Sequence, residues 1–342
     1  MRVFVTGGNG RVGRPAVERL LGAGHSVTVI GAEEKVDLGA AVYHRCDICD
    51  FDSLLALMRG HDSVVHLAAI PHPVGRAGRE LFRVNALGAF NVYEAAAECG
   101  IVRVVSVSSI NSIGYFYGDR GFPVRYLPID EEHAGNPTDA YSFSKATLER
   151  IGSYFWERDR ISGVMIRFPG VIRHERVIDT EALSRGDFFE LLGELLSLDV
   201  PTRRERVRLL HEAYDRLRRS NRPERRSESS DGSLQAQFDA HMGAGAHSLM
   251  TQVVNFFAYV DVLDGAQAIE KALIAEYEGC IPIFVNAAMN RAGLPIPELA
   301  SLYWPPVERV RNPPDGSDSL VSIDRARSLI GYEPQWAMRT GL

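Results

Sequence analysis

Residues 3–13 read VFVTGGNGRVG, and this stretch decides the fold. Val3, Phe4 and Val5 form a short apolar, strand-favouring run, and the segment that follows carries glycines at positions 7, 10 and 13. Val12, Ala16, Val17, Leu20 and Leu21 then recur at helical spacing, with Pro15 suited to an early helix position and Gly24 to the residue past its end. In a strand–turn–helix of this kind no Cβ keeps the backbone from a pyrophosphate. Free N–H groups and the positive end of the helix dipole hold the charge. The GxxGxxG spacing predicts that Gly7, Gly10, Arg11, Val12 and Gly13 bind a dinucleotide. A glycine-rich turn without a ligand is the alternative.

Working outward, strand-like runs at 26–30, 42–45, 64–67 and 102–107 alternate with helical patterns at 81–99 and 139–158, and a sixth apolar run occupies 164–168. That alternation predicts an α/β chain, a Rossmann-type doubly wound parallel sheet with a smaller, discontinuous C-terminal substrate lobe. Residues 1–172 are expected to form mainly the dinucleotide-binding domain and 173–342 mainly the lobe, with a segment at about 251–275 returning to the first domain. Further helical patterns lie at 188–198, 260–275 and 323–330, a strand at 281–285, and a flexible loop is expected at 227–233, SESSDGS.

Composition narrows the function. The net charge of −6 argues against nucleic acid as the main partner. No apolar run approaches the roughly 20 residues that span a bilayer, and the chain starts directly on a strand with no charged-then-apolar leader, which predicts a cytoplasmic protein that does not use a membrane. Four scattered cysteines suit a reducing compartment. Cys46 and Cys49 form an isolated CxxC with no second pair or histidine set, so no metal site is expected. One segment runs against the overall charge: residues 203–226 hold ten arginines. They read as a solvated helix pair laced with ion pairs, or as a positively charged lid or partner surface.

Tyr141 and Lys145 form YxxxK within a helical pattern, one turn apart on one face. An ammonium beside a phenol favours the phenolate, which predicts a tyrosine pulled below its usual pKa of about 10 and able to act as a general base. A surface Tyr and Lys is the plain alternative. Ser108 and Ser109, at the C-terminal end of the fifth strand, stand where open parallel sheets place ligands.

These residues resemble the extended short-chain dehydrogenase/reductases, the group that includes nucleotide-sugar epimerases and dehydratases. The likeness rests on TGGNGRVG and YSFSK, on Asp47-Ile48, on HLAA at 66–69, on VNALGAFNV at 84–92, on SVSS at 106–109, on RFPGV at 167–171 and on the closing SIDRARSLIGYEP. The resemblance implies NAD or NADP as cofactor. Asp47 and Ile48 would flank the adenine, and Leu67, Ala68, Ala69, Phe168 and Val171 would lie along the dinucleotide. Asn85 would belong to a supporting polar network. Lys145 would hold the nicotinamide ribose, Tyr141 would exchange a proton with a substrate oxygen, and Ser109 would hydrogen-bond that oxygen. It also implies a homodimer paired through the helices at 81–99 and at the YxxxK motif.

Two departures shape the chemistry. The family's sugar dehydratases follow the serine with an Asp-Glu pair, whereas this chain has Ile110 and Asn111, which disfavours dehydration. Nucleotide-sugar members carry an Asn shortly after the sixth strand, where this chain has Arg167-Phe168-Pro169-Gly170-Val171. The segment at 108–117 is similar to that of the uronate dehydrogenase branch. His72, Asn111, Arg173 and His174 are candidates to line the substrate space. Glu33 and Glu34 follow the second strand; an acid there would bind the ribose diol and favour NAD, with NADP not excluded. The expected activity is hydride transfer between nicotinamide and a sugar-like or other hydroxylated small molecule. The alternatives are an epimerase with tightly bound NAD and a dinucleotide-sensing protein without chemistry.

Overall fold

The computed structural model describes residues 1–119, 121–178, 187–225, 228–305, 307, 309–310 and 319–338. Eleven strands are present among them: β1 (Arg2–Thr6), β2 (Ser26–Gly31), β3 (Val42–Arg45), β4 (Ser63–His66), β5 (Val104–Val107), β6 (Tyr126–Leu127), β7 (Gly163–Arg167), β8 (Gly170–Ile172), β9 (Tyr259–Asp261), β10 (Cys280–Phe284) and β11 (Arg309–Val310). Seven of them form one parallel sheet in the order β10-β7-β5-β4-β1-β2-β3. The interior strands β1, β4 and β7 are buried on both faces, which is why their sequences are apolar without alternation. Strand order reverses between β1 and β4, so a crevice opens at their carboxyl ends.

One face of the sheet is covered by the helices Gly13–Gly22 and Val262–Ile274, with Ala16, Val17, Leu20, Ala268, Ile269 and Ala272 packed on Val3, Val5 and Val65. The other face carries the helices Phe51–Met58, Gly88–Glu98 and Ala140–Asp159, whose Leu54, Val92, Tyr93, Leu148 and Phe155 close on Phe4, Val64 and Val104. The chain after residue 172 also returns β10 to the edge of the sheet against β7. A separate core, with Phe188, Leu192, Leu210, Leu249, Phe256, Phe257 and Trp304 at its centre, holds together the helices Asp187–Ser197, Val200–Ser220, Ala246–Val254 and Ile296–Tyr303.

Four expectations change. Of the stretch expected as a loop at 227–233, Ser227 lies outside the described residues and the rest belongs to the helix Glu228–Met242, which Phe238 and Met242 anchor in the lobe core; burial at its far end overrides the turn-favouring serines. The helix expected over 81–99 is interrupted by a π-helical turn, Arg83–Leu87, that shifts the register at Asn85. The fifth strand starts two residues late, because Val102 is 61% exposed and Arg103 makes only an isolated bridge to Ser162. The arginine-rich segment is one long helix capped by Asp199 and then a 3-10 turn at Pro223–Arg225, with Arg226 outside the described residues. Arg208 sits between Glu205 and Glu212 on its exposed side. Arg218 is buried and donates to the carbonyls of Gly118 and Tyr115. No helix among the described residues is long and apolar enough to cross a membrane.

Candidate active site

The glycine turn is built for close backbone approach. Gly7 has φ +71°, a left-handed conformation that disfavours other residues, and a Cβ there would lie 2.7 Å from the backbone nitrogen of Ala68. A Cβ on Gly13 would lie 2.5 Å from the carbonyl oxygen of Gly7. Val12 begins the helix Gly13–Gly22 with no side chain capping its N–H groups. That uncapped terminus opens on the crevice, and an anionic pyrophosphate suits it. Arg11 is tied down by donating to the carbonyl of Val171, 3.0 Å away.

Thr6 joins the ends of β1 and β4: its hydroxyl accepts from the N–H groups of Leu67 and Ala68 at 3.2 Å each and lies 2.8 Å from Nδ1 of His66. Burial drives His66 down to about 3, with the Lys145 ammonium adding to the effect, so this imidazole is neutral and structural. At the end of β2 the side chains of Asn9 and Glu33 converge over Gly31, each 3.2 Å from where a Cβ would stand. Glu33 is the only carboxylate among the described residues that line the crevice.

Ser109 leaves β5 in extended backbone and caps the 3-10 turn Ile110–Ile113, its Oγ accepting from the N–H of Asn111 at 3.1 Å. Asp139 caps the helix Ala140–Asp159 through the N–H of Ser142, which sets Tyr141 and Lys145 in the first turns. Ser109, Tyr141 and Lys145 are 6%, 5% and 4% exposed, and all three line the same crevice. The structure corrects the expected electrostatics. Burial pushes Tyr141 up to about 12, opposed by the nearby Ser109 hydroxyl, and burial drives Lys145 down to about 8, opposed by Glu149. Helical spacing does place phenol and amine on one face, but Nζ of Lys145 donates to the carbonyl of Val107 at 2.9 Å and its charge is not among the causes acting on Tyr141.

Behind Lys145, one helical turn on, Glu149 receives Arg167 of β7 in two bonds, Nε to Oε1 at 2.9 Å and Nη2 to Oε2 at 2.7 Å, and the hydroxyl of Ser108 at 2.7 Å. A buried pair of this geometry costs about 3–5 kcal/mol when one partner is removed, so it locks the helix to the sheet at the level of Lys145.

All these elements open into one crevice of about 740 Å³. It collects Gly7, Gly10, Arg11, Val12, Gly13, Leu67, Ala68, Ala69, Ser109, Tyr141, Lys145, Phe168 and Val171, together with His72 and Asn111 from the proposed substrate residues. Asp47, Ile48, Asn85 and Arg173 do not line it. Asp47 accepts from the N–H of Cys49 and pairs with Arg83, while Ile48 is buried against Gly88. Asn85 accepts from the N–H of Ile70 at 2.8 Å and donates to the Ile70 carbonyl and to Ser144, so it braces the loop after β4 from behind. Arg173 points its backbone into the helix His174–Ile178 and is exposed. His174 turns away to Asp261, 2.9 Å from Nδ1, and to the ring of Trp336.

The far wall was not anticipated. Phe116 and Tyr117 line it from one side, Tyr117 standing edge-on to Tyr141 with ring centroids 5.6 Å apart. Thr251, Gln252, Asn255, Tyr259 and Arg291 line it from the lobe. No local spacing links residues 251–291 to YxxxK; the aromatic run at 115–117 was the one available signal.

Fold and site together define a dinucleotide-binding α/β protein with a hydroxyl, a phenol and an ammonium set at the mouth of its sheet. The chain belongs to the NAD dependent epimerase/dehydratase family, whose model matches residues 3–175, and is an NAD(P)-dependent enzyme of the short-chain dehydrogenase/reductase type. It is 35% identical over 183 residues to the L-arabinose 1-dehydrogenase (NAD(P)(+)) of Haloferax volcanii, covering 52% of this chain and 69% of that protein. It is 28% identical over 175 residues to the uronate dehydrogenase of Pseudomonas syringae, covering 48% of this chain and 58% of that one. A short-chain dehydrogenase/reductase superfamily protein of Agrobacterium tumefaciens, solved with bound NAD, shares the fold at TM-score 0.62 and 19% identity, over 99% of this chain and 94% of the other. The UDP-glucose 4-epimerase of Thermotoga maritima does so at 0.59 and 17%, over 98% and 94%.

Proposed function

We propose that this chain is a dehydrogenase that oxidises an alcohol of a free, sugar-like molecule and releases the reduced cofactor. The observation that carries the reading is the convergence of Ser109, Tyr141 and Lys145 in the crevice that also holds the glycine turn. Residues 1–172, with the returning segment near 251–275, hold the dinucleotide, and the lobe within 173–342 grips the substrate. The glycine turn takes the pyrophosphate, Glu33 the adenine-side ribose, favouring NAD, and Lys145 the nicotinamide ribose. Bound oxidised nicotinamide supplies the hydride acceptor. The substrate carbon gives up a hydride, its hydroxyl proton passes to the ionised Tyr141 oxygen, and the C–O bond becomes a carbonyl. Ser109 orients that oxygen. Asp47 and Ile48, outside the crevice lining, would flank the adenine, and Asn85 supports the site from behind. Four free cysteines suit a reducing cytoplasm.

Purified protein incubated with NAD and free sugars, sugar acids or nucleotide sugars separates the readings. Net appearance of reduced nicotinamide with a free sugar or sugar acid is expected. An isomerised nucleotide sugar without net reduction would establish the epimerase reading instead.

We propose further that the chain pairs with a second copy through the helices Gly78–Phe82, Gly88–Glu98 and Ala140–Asp159. Phe82, Leu87, Phe143 and Tyr154 are 38%, 49%, 54% and 48% exposed there, and Phe82 stacks on Phe143 at 5.5 Å between centroids. Sedimentation of the parent protein should give a dimer and Phe143→Asp a monomer; a monomeric parent would exclude this pairing.

A further inference from the structure

The far wall of the crevice contains a charge without a counter-charge. Arg291 follows β10, and its backbone N–H donates to the carbonyl of Phe257 at 2.8 Å. Its side chain is half-buried; Nε is enclosed with no hydrogen-bond partner, and the guanidinium carbon lies 5.3 Å from the Phe188 ring centroid. No carboxylate among the described residues pairs with it. A guanidinium withdrawn from water with an unmet donor is costly unless something supplies the missing acceptor. Burial draws its pKa downward, which records the same cost.

The surrounding backbone holds this arrangement rigidly. Phe256 and Phe257 are both fully buried with φ of 55° and 50°. Two successive non-glycine residues in the left-handed region cost of order 1 kcal/mol or more each, and such strain persists where packing over-determines it. The same turn presents Asn255 to the crevice. Asn111 Oδ1 and His72 Nδ1, which also border the crevice, are likewise buried without partners. The wall thus offers amides, hydroxyls and one cation. Arg11 is occupied at the dinucleotide end, and Lys145 is held by Val107.

Resting on the dehydrogenase reading above, we propose that Arg291 binds a carboxylate of the substrate, so that the preferred substrate is a sugar acid rather than a neutral sugar. A planar fork of donors matches the two oxygens of one carboxylate. A phosphate ester or diphosphate shares the anionic chemistry but carries more charge, and the described residues on this wall supply no second cation for it.

The test uses the full chain with NAD, following reduced nicotinamide with galacturonate against galactose, glucuronate against glucose, and glucose 6-phosphate as the phosphate arm. The expected result is a kcat/KM for the better acid about 10- to 100-fold above its neutral partner, the range of a charge-assisted hydrogen bond. Arg291→Met should bring that ratio near one, mainly through KM, and Arg291→Lys should retain part of it. A rise in thermal stability on adding NAD reports that each variant is folded; if Arg291→Met is not, the ratio in Arg291→Lys decides. Preference for neutral sugars, preference for the phosphate ester, or an unchanged ratio in the folded variants each overturns the proposal while the dehydrogenase reading stands. NAD binding with no reduction by any sugar removes that reading, and this proposal with it.

Discussion

Tyr141→Phe should lower turnover by about 10²- to 10⁴-fold, the contribution of a positioned acid–base group, and leave NAD affinity close to that of the parent. The substitution removes one oxygen from a side chain that is 5% exposed and otherwise keeps the ring against Tyr117, so packing changes little. Titration of the cofactor by fluorescence and initial rates of nicotinamide reduction measure the two quantities separately. Turnover that survives undiminished would remove Tyr141 from the reaction. Loss of cofactor binding together with rate would point to a structural rather than a chemical role. The high pKa of the phenol adds a further expectation. Because burial holds Tyr141 near 12, the fraction of ionised phenol grows with pH, and the parent's oxidation rate should rise with it until Lys145, near 8, loses its proton.

The second large effect is expected at Gly13. A Cβ there would stand 2.5 Å from the Gly7 oxygen and 2.6 Å from the Gly8 carbonyl carbon, both backbone atoms that cannot rotate aside. Gly13→Ala must therefore open the turn. Overpacking of this kind costs about 1–3 kcal/mol, which, taken from the bound state, weakens NAD by about 5- to 150-fold. Gly22 provides the control in the same helix, because a Cβ there meets nothing within 4 Å. Gly22→Ala should leave NAD affinity unchanged and stabilise the helix by about 0.5–1 kcal/mol. Calorimetric titration of both variants decides the matter: equal affinities in Gly13→Ala and Gly22→Ala would mean that the turn does not grip the pyrophosphate.

The parts of the site that were legible in the sequence are those written within a single turn of chain. GxxGxxG places Gly7 and Gly13 by a few residues' separation, and YxxxK places Tyr141 and Lys145 by one helical turn. Their chemistry was less legible. The spacing puts amine and phenol on one face, yet which acceptor the ammonium chooses depends on the carbonyl of Val107, thirty-eight positions away, and on how deeply both groups are buried. The π-helical turn at Arg83–Leu87 was also hidden, because an inserted residue leaves an ordinary apolar pattern while turning Asn85 toward Ile70 and Ser144.

By itself, then, the sequence determined the parallel sheet, the glycine turn after its first strand and the placement of Tyr141 and Lys145 on one helical face, since hydrophobic period and short spacings are properties of neighbouring residues. Only the tertiary structure decided that the helix Glu228–Met242 forms, that Asp47, Asn85 and Arg173 stand off the crevice, and that Arg291 completes its far wall. Those outcomes depend on which remote surfaces bury one another and which charges are left without partners, and neither is encoded in any local stretch of the chain.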